Sequence, residues 1–176
     1  MKNNQQIDED FKFALENHKK NNLKVAEEIY NKILKIDPNH FPSNVLLGTL
    51  SVQTKNFVLA KELLQKSIKI NPNHPEAHYN LGLVFNELLD FEKAINCYEK
   101  AIKINPDYAD AHNNLGNCYK ESGDFEKAIS FYEKATKSKP ENLAYFYPLS
   151  DLKKEILGAN LKNIIKKIIN DNNCTK

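Results

Sequence analysis

Two stretches of the sequence are nearly identical and lie one fixed interval apart: DFEKAINCYEKAIKINP at 90–106 and DFEKAISFYEKATKSKP at 124–140. When the chain is aligned with itself at that interval, segments 75–108 and 109–142 agree at 18 of 34 positions. A period of this size is typical of stacked helical units that bury their apolar faces against one another. The period alone therefore predicts an all-α fold.

Two weaker copies of the same unit precede the clear ones. Segment 41–74 keeps Leu47 and Gly48, and segment 7–40 keeps Ala26 and Tyr30 at the equivalent positions. Proline ends a helix and disfavours the α conformation in the residue before it. Such a proline recurs in all four copies: Pro38, Pro72, Pro106 and Pro140. The four units 7–40, 41–74, 75–108 and 109–142 are called repeats 1 to 4 below.

Each repeat contains two helical patterns separated by a break. In repeat 3 the apolar positions of the second pattern are three or four residues apart, as on one face of a helix, and Asp90 is placed to cap its start. Gly82 and Gly116 lie inside first helices, where glycine costs about 1 kcal/mol relative to alanine. We expect both glycines to contact the second helix of their own repeat, against Ala94 and Ala128.

These positions resemble the tetratricopeptide repeat (TPR). The resemblance covers about 7–142, and its matching residues in repeats 3 and 4 are His78, Leu81, Gly82, Phe85, Ala94, Tyr98, Ala101, Pro106, His112, Leu115, Gly116, Tyr119, Ala128, Tyr132, Ala135 and Pro140. Histidine replaces the family's frequent tryptophan at the first of these positions. The resemblance implies an all-α, right-handed TPR solenoid of antiparallel helix pairs, with about four repeats and a C-terminal helical cap.

The segments outside the repeats predict tails and a cap. We expect 1–6 and 171–176 to be disordered, and 143–170 to form a degenerate fifth repeat or capping helices that cover the last repeat. Pro148 should kink or split the first of these helices. A break at 157–160 should precede an amphipathic helix, with the lysines outward and these apolar residues inward: Leu161, Ile164, Ile165, Ile168 and Ile169. We favour a cap over docking of this basic helix on a membrane.

Composition narrows the class of partner. The net charge of +2 gives no reason to expect nucleic acid or a membrane, and the absence of arginine removes the usual bidentate anchor for phosphate. Three cysteines without a CxxC spacing indicate reduced thiols in a cytoplasmic protein.

The residues with chemical potential form no catalytic pattern. His74 and His78 are close in sequence, but His74 lies in the loop and His78 at a packing position, which disfavours a metal site. Cys97 and Cys118 lie within helices without a basic neighbour motif and are interpreted as inert. We expect no enzyme activity, no metal and no cofactor.

Surface recognition is the remaining function. In the TPR family the first helices line a concave groove. The resemblance implies the following partner-binding positions here: Phe11, Leu15, Val45, Thr49, Tyr79, Asn80, Leu83, Asn113, Asn114, Asn117 and Lys120. The chaperone-tail binders of the family need lysines where this chain has uncharged or acidic residues, so a clamp for a C-terminal carboxylate is not expected.

The asparagines of this set have two interpretations. A carboxamide carries a donor and an acceptor, and Asn80 and Asn114 occupy the position that forms an asparagine ladder in the TPR region of O-GlcNAc transferases. Such a ladder would hold an extended peptide by its backbone. Asparagine is also common throughout this chain, so coincidental solvated residues remain the alternative.

The sequence therefore predicts a scaffold that binds a peptide segment of a protein partner in the groove. One alternative is the non-catalytic, substrate-presenting front of a larger bacterial sulfotransferase or glycosyltransferase-like enzyme, which 149–176 resembles weakly. Self-association through the repeat faces is a third possibility.

Overall fold

The computed structural model describes the backbone of residues 2–173 and the side chains of residues 4–160, 162, 163 and 166. The described backbone is entirely helices and short connections. Its helices are α1 (Lys2–Lys19), α2 (Leu23–Ile36), α3 (Phe41–Gln53), α4 (Phe57–Ile70), α5 (Pro75–Glu87), α6 (Phe91–Ile104), α7 (Ala109–Glu121), α8 (Phe125–Ser138) and α9 (Leu143–Asn173). The all-α prediction is confirmed.

The chain divides into two compact units. The N-terminal unit, residues 1–106, contains α1 to α6, and the C-terminal unit, residues 107–176, contains α7 to α9. Within each unit a first helix packs against the second helix of its own repeat, as α5 does on α6 and α7 does on α8. The helix pairs of repeats 2, 3 and 4 thus lie inside the intervals that the sequence period marks.

A capping residue begins the second helix of each of the last three repeats. The side chains of Asn56, Asp90 and Asp124 each accept a hydrogen bond from the backbone N–H three residues later. Two residues before each of these helices the backbone adopts a positive φ, of 60° at Lys55, 59° at Leu89 and 79° at Gly123. Only the last of these is glycine, the residue that adopts this conformation without steric cost.

The helix pairs meet through the internal glycines. A Cβ on Gly82 would lie 2.5 Å from Cε1 of Tyr98, and one on Gly116 would lie 2.7 Å from Cδ1 of Tyr132. Both tyrosines are fully buried. The predicted contact of each glycine with its own second helix is confirmed, but the nearest group on that helix is a tyrosine ring rather than an alanine.

The two ends of the chain differ from the expectation. Residues 2–6 belong to α1, where the Gln6 amide donates to Asp10 at 3.2 Å one turn later, so ordinary helix-forming residues extend the first helix. The helix α9 is continuous through Pro148 and through Gly158, so Pro148 does not split the helix and the predicted break at 157–160 was wrong. A single glycine costs a helix only about 1 kcal/mol, too little to end one that is favoured on both sides.

The inner face predicted for 161–169 involves side chains outside the described residues. The described part of α9 packs on α8 through Leu149 and Leu152, which cluster with Ala128 and Tyr132. Residues 171–173 are the end of α9 rather than a tail, and 174–176 lie outside the described residues.

Candidate partner-binding surfaces

The apolar positions at the start of the predicted groove are mostly occupied by internal packing. Val45 is only 5% exposed. Phe11 is half-buried, with its ring 5.3 Å from the ring of His40 and 6.2 Å from that of Tyr30. Leu15 is also half-buried. The N-terminal unit therefore offers partial apolar surface at Phe11 and Leu15, and Val45 belongs to the core.

The middle positions are tied together by a hydrogen bond. Nδ2 of Asn80 donates to Oγ1 of Thr49 at 2.8 Å, and that hydroxyl donates to the carbonyl oxygen of Val45 at 2.9 Å. Asn80 is 8% exposed, so its carboxamide links α3 to α5 and presents little surface. Tyr79 and Leu83 are half-buried.

The first helix of the C-terminal unit carries the most polar of the predicted surfaces. Asn117 and Lys120 are exposed, and Asn113 and Asn114 are half-buried. Nδ2 of Asn117 lies 3.5 Å from Oδ1 of Asn114. Oδ1 of Asn113 is buried and finds no hydrogen-bond donor among the described residues. These four side chains on α7 are called the α7 amide patch below.

Two buried tyrosines hydrogen-bond to side chains of α7, one of them within the patch. The hydroxyl of Tyr132 donates to Oδ1 of Asn117 at 2.7 Å, and that of Tyr145 donates to Asp110 at 2.7 Å. Burial raises the pKa of Tyr132 to about 12. Burial, with the neighbouring Asp110 carboxylate, raises the pKa of Tyr145 to about 12. Both hydroxyls therefore stay protonated and orient their acceptors at neutral pH.

The residues weighed for chemistry have structural roles. His74 caps α5 by accepting from the backbone N–H of Ala77 at 3.3 Å, and Nε2 of His78 lies 2.9 Å from the carbonyl oxygen of Pro72. Burial raises the pKa of both Cys97 and Cys118 to about 11, so neither thiol is a ready nucleophile. Across the described residues no three metal-ligating side chains cluster. Every helix of that same part is too short or too polar to traverse a bilayer.

The sequence reasoning missed one recurring bond. The side chain at the start of each of two first helices donates to the carbonyl oxygen of the preceding periodic proline: Asn44 to Pro38 at 3.0 Å, and His78 to Pro72 at 2.9 Å. The signal was present, because an N–H-bearing side chain follows each of these prolines by six residues. This bond explains why histidine is suited to the position where the TPR family often has tryptophan.

Comparison with known protein families agrees with the predicted tetratricopeptide repeats. Family models described as TPR repeat and as Tetratricopeptide repeat match residues 90–123 and 109–142, and one for Anaphase-promoting complex, cyclosome, subunit 3 matches 19–101. No curated protein matches the chain by sequence.

Solved structures match over most of the chain. A crystal structure of MamA superposes with a TM-score of 0.74 at 29% identity, covering 85% of this chain and 86% of that one. MamA 41-end from Desulfovibrio magneticus RS-1 gives 0.71 at 23% identity, covering 77% of each chain. A Thermobaculum terrenum O-GlcNAc transferase mutant gives 0.73 at 24% identity, covering 78% of this chain and 27% of that one. Repeat period, helix pairing and these matches together show that the chain contains tetratricopeptide repeats, matched at 90–142, and that its fold is similar to that of the MamA structures.

Proposed function

We propose that the chain is a non-catalytic scaffold that binds an extended peptide segment of a protein partner along the α7 amide patch. The TPR fold is suited to protein–protein interaction, and this proposal adds the site and the kind of ligand. The observation that carries it is the buried, unpaired Oδ1 of Asn113. A buried acceptor without a donor costs about 1–3 kcal/mol. A peptide N–H would recover this cost when the half-buried Asn113 side chain turns its Oδ1 outward on binding.

The chemistry of the patch fits a peptide backbone. Asparagine offers two donors and one carbonyl acceptor, so neighbouring amides on one helix can pair with successive N–H and C=O groups of an extended chain. Lys120 adds one exposed positive charge at the end of the patch. Such a surface holds a partner largely through its main chain, with one preference for an acidic side chain near Lys120.

The asparagine ladder needs revision in this proposal. Asn80 was predicted as a rung, but its Nδ2 is engaged with Thr49 at 2.8 Å. We therefore expect the groove positions of the N-terminal unit to contribute less to binding than α7. These positions are Phe11, Leu15, Thr49, Tyr79 and Leu83. The primary contacts are those of α7.

The test is a double substitution, Asn113→Ala with Asn114→Ala. Asn117 is left unchanged, because its Oδ1 accepts from the buried Tyr132 hydroxyl and its loss would disturb the fold. Partners are recovered from a lysate of the source cells and quantified by mass spectrometry. We expect the double variant to lose at least about fivefold of the main partner, since each net hydrogen bond contributes about 0.5–1.5 kcal/mol.

A matched control keeps the measurement specific. Asn31 on α2 and Gln65 on α4 are exposed amides on second helices, so their double substitution with alanine changes a similar number of amides elsewhere. We expect that control to recover partners as the wild type does. Equal recovery by all three proteins would remove the α7 amide patch from the proposal.

A second proposal concerns the context of the chain. The O-GlcNAc transferase that it resembles in fold is a much longer chain, of which the match covers 27%. If this chain is likewise the front of an enzyme, the α7 amide patch would present an acceptor protein to a catalytic domain. Sequencing the gene past the codon of Lys176 decides between a further domain and a stop.

Location and assembly are also proposed here. The two described cysteines are free, which fits the cytoplasmic location predicted from the cysteine pattern. Self-association remains compatible with a repeat protein, and light scattering of the purified chain over a range of concentrations would measure it. Bacterial origin stays a prediction from the sequence resemblance.

A further inference from the structure

At one position of the second helices the size of the side chain varies from repeat to repeat. Residues 34 apart place Ile29, Leu63, Cys97 and Phe131 at this point of repeats 1 to 4. In repeat 4 the ring of Phe131 stacks on Tyr119, with the ring centroids 5.5 Å apart and the planes 4° from parallel. It also stacks on His112 at 6.0 Å, so the ring fills the space between two side chains of α7.

A lysine covers the outer face of that ring. Nζ of Lys134 lies 4.7 Å from the centroid of Phe131, a distance suited to attraction between a cation and an aromatic face. In repeat 4 a phenyl ring is thus contacted by three side chains. Two are rings of the first helix, His112 and Tyr119, and the third is Lys134 of the second helix.

Repeat 3 has residues of the same kinds at the equivalent positions, without the ring. His78 and Phe85 occupy the positions of His112 and Tyr119, and Lys100 occupies that of Lys134, but the residue between them is Cys97, the smallest of the four. Two surface clefts of about 600 Å³ and about 380 Å³ lie here, and Lys100 lines both. The first cleft is lined by His78 and the second by Phe85 and Cys97.

The rim of the larger cleft is positive. Lys100 and Lys103 line it beside the apolar side chains of Ile68 and Ile104, and its lining contains no carboxylate. The smaller cleft contains Asp90 and Glu92 together with Lys93, so its charges are mixed. A ligand with a negative group therefore fits best with that group at Lys103. The imidazole of His78 is held on the Pro72 carbonyl, so this wall of the larger cleft is preformed.

We propose that these two clefts, which share Lys100 and are together called the α5–α6 groove, bind an aromatic side chain of a partner peptide, with an acidic residue of the same peptide at Lys103. The ring takes the place that Phe131 occupies in repeat 4, with Lys100 over its face. The residues that line the groove include none of the α7 amide patch, so either proposal can fail alone.

The probe is the acetylated tripeptide amide Glu-Phe-Glu, observed by saturation-transfer NMR on the full chain. Gln-Phe-Gln tests the charge and Glu-Ala-Glu tests the ring. We expect transfer to the phenyl protons of Glu-Phe-Glu, weaker transfer with Gln-Phe-Gln, and none with Glu-Ala-Glu. The substitution Lys103→Gln should weaken the binding of Glu-Phe-Glu about two- to fivefold, as expected for the loss of an exposed ion pair. It should leave the binding of Gln-Phe-Gln unchanged.

The decisive variants exchange the residue under the ring. Cys97→Phe should fill the groove as Phe131 does and abolish transfer, whereas Cys97→Ala should keep the groove open and retain it. The reciprocal Phe131→Cys should create a second groove and raise the number of bound peptides. Equal transfer to Cys97→Phe and Cys97→Ala, or no transfer to the wild type at millimolar peptide, overturns the proposal. If Cys97→Phe does not fold, Lys100→Glu, an exposed change, must abolish transfer instead.

Discussion

Replacing Gly82 with alanine should destabilise the protein although alanine is the better helix former. The added Cβ would lie 2.5 Å from Cε1 and 2.7 Å from Cδ1 of Tyr98, closer than carbon atoms approach in proteins. Tyr98 is fully buried, so its ring can move away only by displacing the core around it. Overpacking of this kind costs about 1–3 kcal/mol, and the helix preference of alanine returns about 1 kcal/mol. We expect a net loss of up to about 2 kcal/mol.

The assay is thermal and urea unfolding followed by circular dichroism. For a chain of this length a loss of up to about 2 kcal/mol lowers the melting midpoint by up to about 8 °C. The matched control is Gly158→Ala in α9, where an added Cβ meets nothing within 4 Å. That variant should be more stable by about 1 kcal/mol, since only helix preference changes. A Gly82→Ala protein as stable as Gly158→Ala would refute the packing of α5 on the Tyr98 ring.

Three further predictions concern the turns, α9 and the tyrosines. Leu89→Gly should raise the free energy of unfolding by about 1 kcal/mol in urea titrations, because Leu89 has φ 59° and its side chain is 74% exposed; an unchanged midpoint would argue against strain there. Leu152→Ala should lower the free energy of unfolding by about 2–5 kcal/mol, because Leu152 of α9 is buried against α8. The exposed Leu157→Ala should lower it little, and similar losses for the two variants would contradict the packing of α9. Burial raises the pKa of Tyr30 and Tyr132 to about 12, so above pH 10 the unfolded chain ionises first, and stability should fall between pH 10 and pH 12. Tyr132→Phe should lessen that fall, and tyrosinate absorbance provides the measurement.

The helices were predictable because the chain repeats its own pattern. Glycine inside a helix indicates a close approach, and Gly82 and Gly116 do meet their own second helices. The identity of the facing group was missed, because Ala94 and Tyr98 lie on the same face of α6 and the sequence does not say which one reaches the glycine. The ends of the chain were mispredicted for a different reason. Weak helix breakers such as Gly158 are outweighed by the sum of their helix-forming neighbours.

The candidate surface was harder to predict than the helices. Family positions indicated which side of each first helix is involved, but burial along that side varies with neighbouring side chains. Asn80 reaches Thr49, 31 residues away, and this pairing depends on the rotamers of both residues. Asn114 occupies the equivalent position in repeat 4 and is part of a different network, next to Asn117. The spare acceptor of Asn113 follows from the surrounding packing, for which the sequence carries no signal.

The account depends most on one claim, that a partner binds along the exposed face of α7. Site-specific photo-crosslinking tests it directly, with benzoylphenylalanine placed at Lys120 on α7 or at Ser130 on α8, both exposed positions of the same unit. Illumination in a lysate of the source cells should give a discrete covalent adduct at position 120 and none at 130. The adduct should be lost when Asn113 and Asn114 are also alanine. An adduct at position 130 alone, or one at position 120 that survives the double substitution, would contradict binding through the α7 amide patch.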